Sequence, residues 1–239
     1  MKLIALQIRT TANFEDNLIH IKELINSCEE NSLILAPELA LSGFCYERMQ
    51  DAADFSIKAI EDIKELSFNK IIALTLITKI DDKFFNTLHI FHNKQIVHIQ
   101  SKVQLFPLGN ELEHFTAGDI EDIKIIEING IKIATLICFE IRFPKLWEKV
   151  RGADIILNPA MWGLKRKDHY ETISKSLALV NQCFVIACNS ADNDMAKGSA
   201  IINPFGIVKK DDSKEIIEDY FDLNEIKKVR TYINIGLNS

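Results

Sequence analysis

Short apolar runs rich in β-branched residues alternate along this chain with longer stretches whose apolar positions recur every three or four residues. The first pattern predicts strands over Leu3–Gln7, Leu33–Ala36, Ile71–Ile77, Thr87–His92, Lys94–Ile99 and Ile123–Ile128. Further strands are expected over Ile131–Ile137, Ile155–Leu157, Phe184–Asn189, Gly198–Ile202 and Ile207–Lys209. The second pattern predicts helices over Asn13–Asn26, Glu47–Asn69, Lys145–Arg151, Asp168–Asn181 and Leu223–Val229. Asn129-Gly130 between two apolar runs reads as a tight hairpin turn. The polar stretches Ala191–Lys197 and Lys209–Lys214 read as exposed loops. Strands alternating with helices favour a layered α/β architecture. With no low-complexity tract, repeat or linker, a single domain over residues 1–239 is expected.

Three of the strands run into a break that carries a chemically capable group. The run Ile131–Cys138 ends in a cysteine followed by Phe139-Glu140-Ile141-Arg142-Phe143-Pro144, and Pro144 stops any regular continuation. Open α/β sheets place their chemistry at such carboxyl ends, although a cysteine there also suits a packing role, because free cysteines are among the most buried residues. The run Leu33–Ala36 breaks at Pro37 and Glu38. A carboxylate at the end of a buried strand is partly desolvated, which raises its pKa and suits it to act as a base near neutrality; a solvated loop residue is the plainer alternative. Lys102 closes the alternating stretch from Gln95, where a lysine is more often a surface charge.

Taken together, PELALSGF at 37–44, SKVQLFP at 101–107 and CFEIRFP at 138–144 resemble the motifs of the carbon–nitrogen hydrolase, or nitrilase-like, superfamily. The likeness extends to Asn158–Trp162, to the helix ending in Asn181-Gln182, to Gly198–Gly206 and to Asp222–Arg230. It implies a four-layer α-β-β-α sandwich that pairs as a homodimer or higher homo-oligomer by stacking helix layers. It also implies a Glu38–Lys102–Cys138 triad that cleaves a small amide through a thioester, with ammonia as a product. Cys138 would be the nucleophile, Glu38 the base and Lys102 the oxyanion partner. A second glutamate matches Glu111, with Glu113 as the competing position. The chain departs from the family in having Phe-Glu-Ile after the cysteine, where Tyr-Asp-Leu is commonest, and Gln-Ser before the lysine.

The form of the cysteine motif and the Glu111-x-x-His-Phe spacing look most like the omega-amidase branch, whose substrates are 2-oxo acid amides such as 2-oxoglutaramate. A nitrilase or an N-carbamoyl amidohydrolase would share the triad, and a catalytically silent binding protein would share the fold. Around the nucleophile, Phe139 and Trp162 are candidate pocket residues, with a core role equally open for Trp162. Arg142 is expected to clamp Glu140 or nearby backbone rather than touch substrate. Lys165 and Arg166, in a short basic run after Trp162, are either solvated surface or the reader of a substrate carboxylate.

Composition narrows the remaining choices. A formal net charge of −6 argues against a nucleic-acid or anionic-membrane surface. No apolar run approaches bilayer length, and Met1–Arg9, broken by Gln7, is read as the first strand rather than a signal segment. Five cysteines with no framework spacing suit a reducing cytoplasm. Cys28, Cys183 and Cys188 fit packing roles, whereas Cys45 follows the Glu38 loop, so approach to the site stays open. Histidines and cysteines lack metal-ligand spacing and no phosphate-binding glycine motif is present, so neither metal nor other cofactor is called for.

Overall fold

The computed structural model describes residues 1–237. Its first half contains strands β1 (Lys2–Leu6), β2 (Ser32–Leu35), β3 (Ile71–Ile80), β4 (Lys83–His92) and β5 (Gln95–Ser101), with helices α1 (Phe14–Ser27) and α2 (Met49–Leu66). A one-turn helix α3 (Glu111–His114) leads to β6 (Ile126–Ile128), β7 (Ile131–Thr135), α4 (Pro144–Val150), β8 (Ile155–Ala160), α5 (Lys167–Asn181) and β9 (Phe184–Asn189). Strands β10 (Ala200–Ile202), β11 (Val208–Lys210) and β12 (Ile216–Tyr220) precede α6 (Leu223–Tyr232).

Two six-stranded mixed sheets result, ordered β12-β1-β2-β3-β4-β5 and β11-β10-β9-β8-β7-β6. Each has a parallel core, β1-β2-β3 in one and β7-β8-β9 in the other, extended by antiparallel strands. Helices α1 and α2 lay Leu18, Ile21, Ile25, Ala59 and Ile63 on Ile4, Leu6, Ile34, Ile72 and Leu74 of the first sheet. The opposite residues of those strands, Leu3, Ala5, Leu33, Leu35, Ile71 and Ala73, join the core shared with the second sheet. This is the period-two alternation of a strand buried on both faces. Helices α4, α5 and α6 cover the far side, contributing Leu146, Val150, Tyr170, Leu177 and Ile226. The layering is therefore α-β-β-α, as the resemblance implies. Cys183 and Cys188 pack in this core, and the Cys188 thiol donates to the carbonyls of Leu6 at 3.2 Å and Leu35 at 3.1 Å across the sheets.

The differences from the sequence reading have local causes. Strands β3 and β4 continue to a turn at Asp81-Asp82, both with positive φ (46° and 61°), where no Asn-Gly signal marks it. Strand β12 was not expected. Only Ile217 is buried in it, so no alternation betrays an edge strand paired with β1. Strand β8 runs on through Pro159. Its pairing with β7 stops at Leu157, so the missing proline N–H removes no ladder bond on that side. Conversely, Ile123–Ile128 shortens to β6, because a 3₁₀ turn over Ile120–Asp122 occupies the approach.

Candidate active site

Glu38, Lys102 and Cys138 all lie just past strand ends, on β2, β5 and β7, and the backbone N–H of Glu38 reaches the carbonyl of Ala160 at the end of β8. Lys102 is fully buried. Its Nζ donates to Glu38 Oε1 and to Glu111 Oε1, each at 2.7 Å. Asn86, facing inward from β4, donates to the same Glu38 oxygen at 2.8 Å, while its carbonyl accepts from the Lys102 backbone N–H at 2.8 Å. The Lys102 carbonyl accepts from Gly118 at 2.9 Å. A side chain at Gly118 would meet the Ser101 carbonyl oxygen at 2.4 Å, so this close approach requires glycine. Glu111 opens α3 and is itself held by the Phe106 N–H, which donates to Oε2 at 3.1 Å. Glu113 is exposed on the same short helix. Of the two candidate glutamates, the fold thus brings Glu111 to the lysine.

Cys138 is buried and opens a 3₁₀ turn over Cys138–Arg142 with φ at +49°. Leu39, beside Glu38, has φ at +48° and donates its N–H to Thr75 Oγ1 at 2.6 Å. Left-handed backbone at residues other than glycine is unfavourable and concentrates at functional sites. Glu38 Oε2 is buried and has no hydrogen-bond partner among the described residues.

The charges of this interior group are interdependent. Burial and the neighbouring Glu38 charge push the Cys138 thiol well above its usual range, against the pull of Lys102, so the resting form is the thiol. Burial works to lower the Lys102 pKa, but the charges of Glu38 and Glu111 and the hydrogen bond to Glu111 outweigh it and hold the ammonium charged. Burial, then the Glu38 charge, raises Glu111 to about 7, opposed by Lys102 and the Phe106 N–H.

A small cavity opens onto Cys138, lined by Phe106, Phe139, Arg142, Met161, Trp162 and Arg166. Phe139 sits between Phe106 and Phe143, with ring centroids 5.0 and 5.1 Å away. Trp162 is both wall and core, its backbone N–H donating to Asn189 Oδ1 at 2.7 Å. Arg142 does not clamp Glu140. Its guanidinium lies 4.5 Å from the Trp162 ring and donates to His169 Nδ1 at 3.0 Å. The Glu140 carboxylate is instead occupied by backbone N–H groups of Ile137 and Val103. Arg166 lies over Phe106 at 5.2 Å and lines the cavity, whereas Lys165 is exposed and does not. Cys45 lines a separate, outer cavity with Tyr46 and Met161 and not the one onto which Cys138 opens.

Sequence reading missed Asn86, Phe106 and Met161. Asn86 precedes Thr87, the residue of β4 opposite Ser101, and is paired with Ile77 of β3, so its side chain reaches Glu38. Phe106 and Met161 lie in stretches that carry the family resemblance, but only the meeting of two distant loops makes them neighbours at the cavity.

Two mixed sheets face to face beneath helix layers, with chemistry gathered at one rim, define an α/β sandwich enzyme of the nitrilase type. The chain belongs to the carbon–nitrogen hydrolase family, whose sequence profile matches residues 3–231. It is 31% identical to the 2-oxoglutaramate amidase of Bacillus subtilis over 216 residues, covering 85% of this chain and 83% of that protein. It is 27% identical to the omega-amidase YafV of Escherichia coli, covering 80% and 76%. Among solved structures, Nit3 of Saccharomyces cerevisiae superposes with a TM-score of 0.85 at 20% identity, over 99% of this chain and 95% of that one. XC1258 of Xanthomonas campestris gives 0.84 at 21%, over 98% and 94%. At these identities the two structures speak for the fold.

Proposed function

We propose that this protein is an amidase that hydrolyses a small carboxylate-bearing 2-oxo acid amide, with 2-oxoglutaramate as the reference substrate. The observation that carries the reading is the buried Glu38–Lys102–Glu111 array with one carboxylate oxygen of Glu38 left unpartnered, at the rim where the Cys138 thiol meets the cavity. Glu38 Oε2 takes the thiol proton as sulfur attacks the amide carbon. The oxyanion is held by Lys102 and the backbone N–H of Phe139. The C–N bond breaks as Glu38 returns the proton to nitrogen, ammonia departs, and a thioester remains on Cys138. Water then adds to the thioester with Glu38 again as base, releasing the acid and the thiol. The test is ammonia release across matched amides, nitriles and carbamoyl compounds. Preferential turnover of a nitrile or a carbamoyl compound would overturn the amidase reading.

The carboxylate half of the substrate is assigned to Arg142 and Arg166. Among the described residues, the arginine ion pairs are Arg48–Asp51 and Arg230–Asp154, leaving both cavity guanidiniums without a carboxylate. Burial, then the charge of Arg166, pulls the Arg142 pKa down, the mark of two cations held near one another. A substrate anion relieves that repulsion. Neutralising both, as Arg142→Gln with Arg166→Gln, is expected to raise KM for acidic amides by about 10- to 100-fold, the worth of a charged hydrogen bond. Neutral amides of equal size are expected to change little, and equal losses for both would retire the assignment.

The pH profile follows from Glu111. With its carboxyl at about 7, lowering the pH protonates it and weakens one of the two anchors of Lys102. Thus kcat/KM is expected to rise through an acid limb near pH 7 and level off above it. In Glu111→Gln the limb near pH 7 is expected to be lost, because its titrating group is gone. An unmoved limb would remove Glu111 from the site.

Two further readings belong with this function. Copies of the chain pair through the α5 layer, where Leu179 and Val180 point outward, half-exposed, and the enzyme works in a cytoplasm that keeps its five cysteines reduced. Sedimentation velocity of the wild type and of Val180→Glu tests the first, a monomeric wild type refuting it.

A further inference from the structure

We propose that Glu140 is a positioning residue: its carboxylate is a clip that holds the left-handed Cys138 turn in register with the strand end carrying Lys102. The proposal rests on Cys138 being the nucleophile. Glu140 is fully buried, two residues past the cysteine, in a region that would otherwise exclude a carboxylate. One oxygen, Oε2, accepts from the N–H of Ile137, the residue before Cys138, at 2.6 Å. The other, Oε1, accepts from the N–H of Val103, the residue after Lys102, at 2.7 Å. The Glu140 N–H in turn donates to the Ile137 carbonyl at 3.0 Å. A closed loop of hydrogen bonds therefore spans Cys138 at the point where its backbone adopts φ of +49°.

The geometry explains why a carboxylate is needed. Strand β7 ends at Thr135 and β5 at Ser101, so neither Ile137 nor Val103 has a ladder partner left. Two buried N–H groups from separate strand ends converge, and each needs an acceptor. An ionised carboxylate offers acceptors at both oxygens, whereas an amide offers one and turns its NH₂ toward the other N–H. The clip also joins two elements that sequence-local forces leave independent. Burial raises Glu140 to about 7, opposed by the two N–H bonds it accepts, in keeping with a carboxylate retained for its bonds. Glu140 is not itself among the residues lining the cavity, so its effect is on the placement of sulfur relative to Lys102.

The test compares Glu140→Gln and Glu140→Asp with wild type, with Cys138→Ala in parallel, on the intact protein with an acidic amide. Misplacing a reacting group by about 1 Å costs on the order of a hundredfold, so Glu140→Gln is expected to lower kcat about that much with KM within about twofold. Glu140→Asp keeps both oxygens at shorter reach and is expected to recover part of kcat, staying measurably below wild type. Iodoacetamide labelling of Cys138 without substrate is expected to change rate in the Gln variant and return toward wild type in the Asp variant. A folded Gln variant with wild-type kcat, or an Asp variant no better than Gln, would overturn the clip. If Gln does not fold, Asp decides alone: a lowered kcat at unchanged KM supports the clip, and an unchanged kcat overturns it. Turnover surviving in Cys138→Ala would instead overturn the nucleophile assignment, which keeps the two failures distinct.

Discussion

Replacing Cys138 by alanine is expected to abolish amide hydrolysis, by a factor of at least about 10⁴, while leaving the fold intact. No other thiol can substitute. Cys183 and Cys188 are sealed in the core and raised by burial, and Cys45 lines the outer cavity. The substitution removes one sulfur and keeps Cβ, so the strained φ and the bonds of Glu140 to Ile137 and Val103 persist. Loss of a single buried atom in a site already open to a cavity is expected to change stability by less than about 1.5 kcal/mol, the range of conservative core swaps. Ammonia release, with circular dichroism and a thermal melt as controls, makes the measurement. Wild-type protein quenched during turnover is expected to carry an acyl adduct on Cys138 by mass spectrometry. Substantial turnover by a well-folded alanine variant would rule out the covalent route.

Lys102→Met is expected to lose hydrolysis as completely and, unlike Cys138→Ala, to destabilise the fold strongly. The lysine is the positive centre between two buried carboxylates, and removing one partner of a buried ion pair costs about 3–5 kcal/mol because it strands charge. The stranded groups are Glu38 and Glu111, each within 2.7 Å of the ammonium. Without it the carboxyl of Glu111, already raised by burial and by the Glu38 charge, is pushed further above its unfolded-chain value. The folded state then holds more protons than the unfolded one, and stability falls as pH rises through that window. The deficit relative to wild type is therefore expected to be larger at pH 8 than at pH 5 in urea melts. A variant as stable as wild type at both pH values would mean that the three groups are not the charged array described here.

The strand-and-helix alternation and the turn at Asn129-Gly130 were legible in the chain because each rests on local rules, whereas Glu38, Lys102 and Cys138, ambiguous singly, were picked out by the resemblance of their three motifs to those of a family. Apolar period, turn chemistry and a polar break after a buried run need no knowledge of distant partners. Legibility stopped where partners are far apart in sequence. Strand β12 escaped because a single buried residue makes no pattern. Arg142 escaped because its partner, Trp162, is 20 positions away and joins it only after α4 and β8 fold between them. Lys165 and Arg166, adjacent and alike in charge, were inseparable until the chain direction after β8 sent one side chain to the cavity and left the other in water. Glu111 and Glu113 differ in the same way, one turned to the lysine and one to solvent. Local chemistry thus settles which groups are available, while the long-range packing of two sheets settles which of them meet. Only burial in that meeting place, by removing water and bringing charges together around Lys102, Glu111 and Cys138, gives these side chains shifted proton affinities that no isolated segment has.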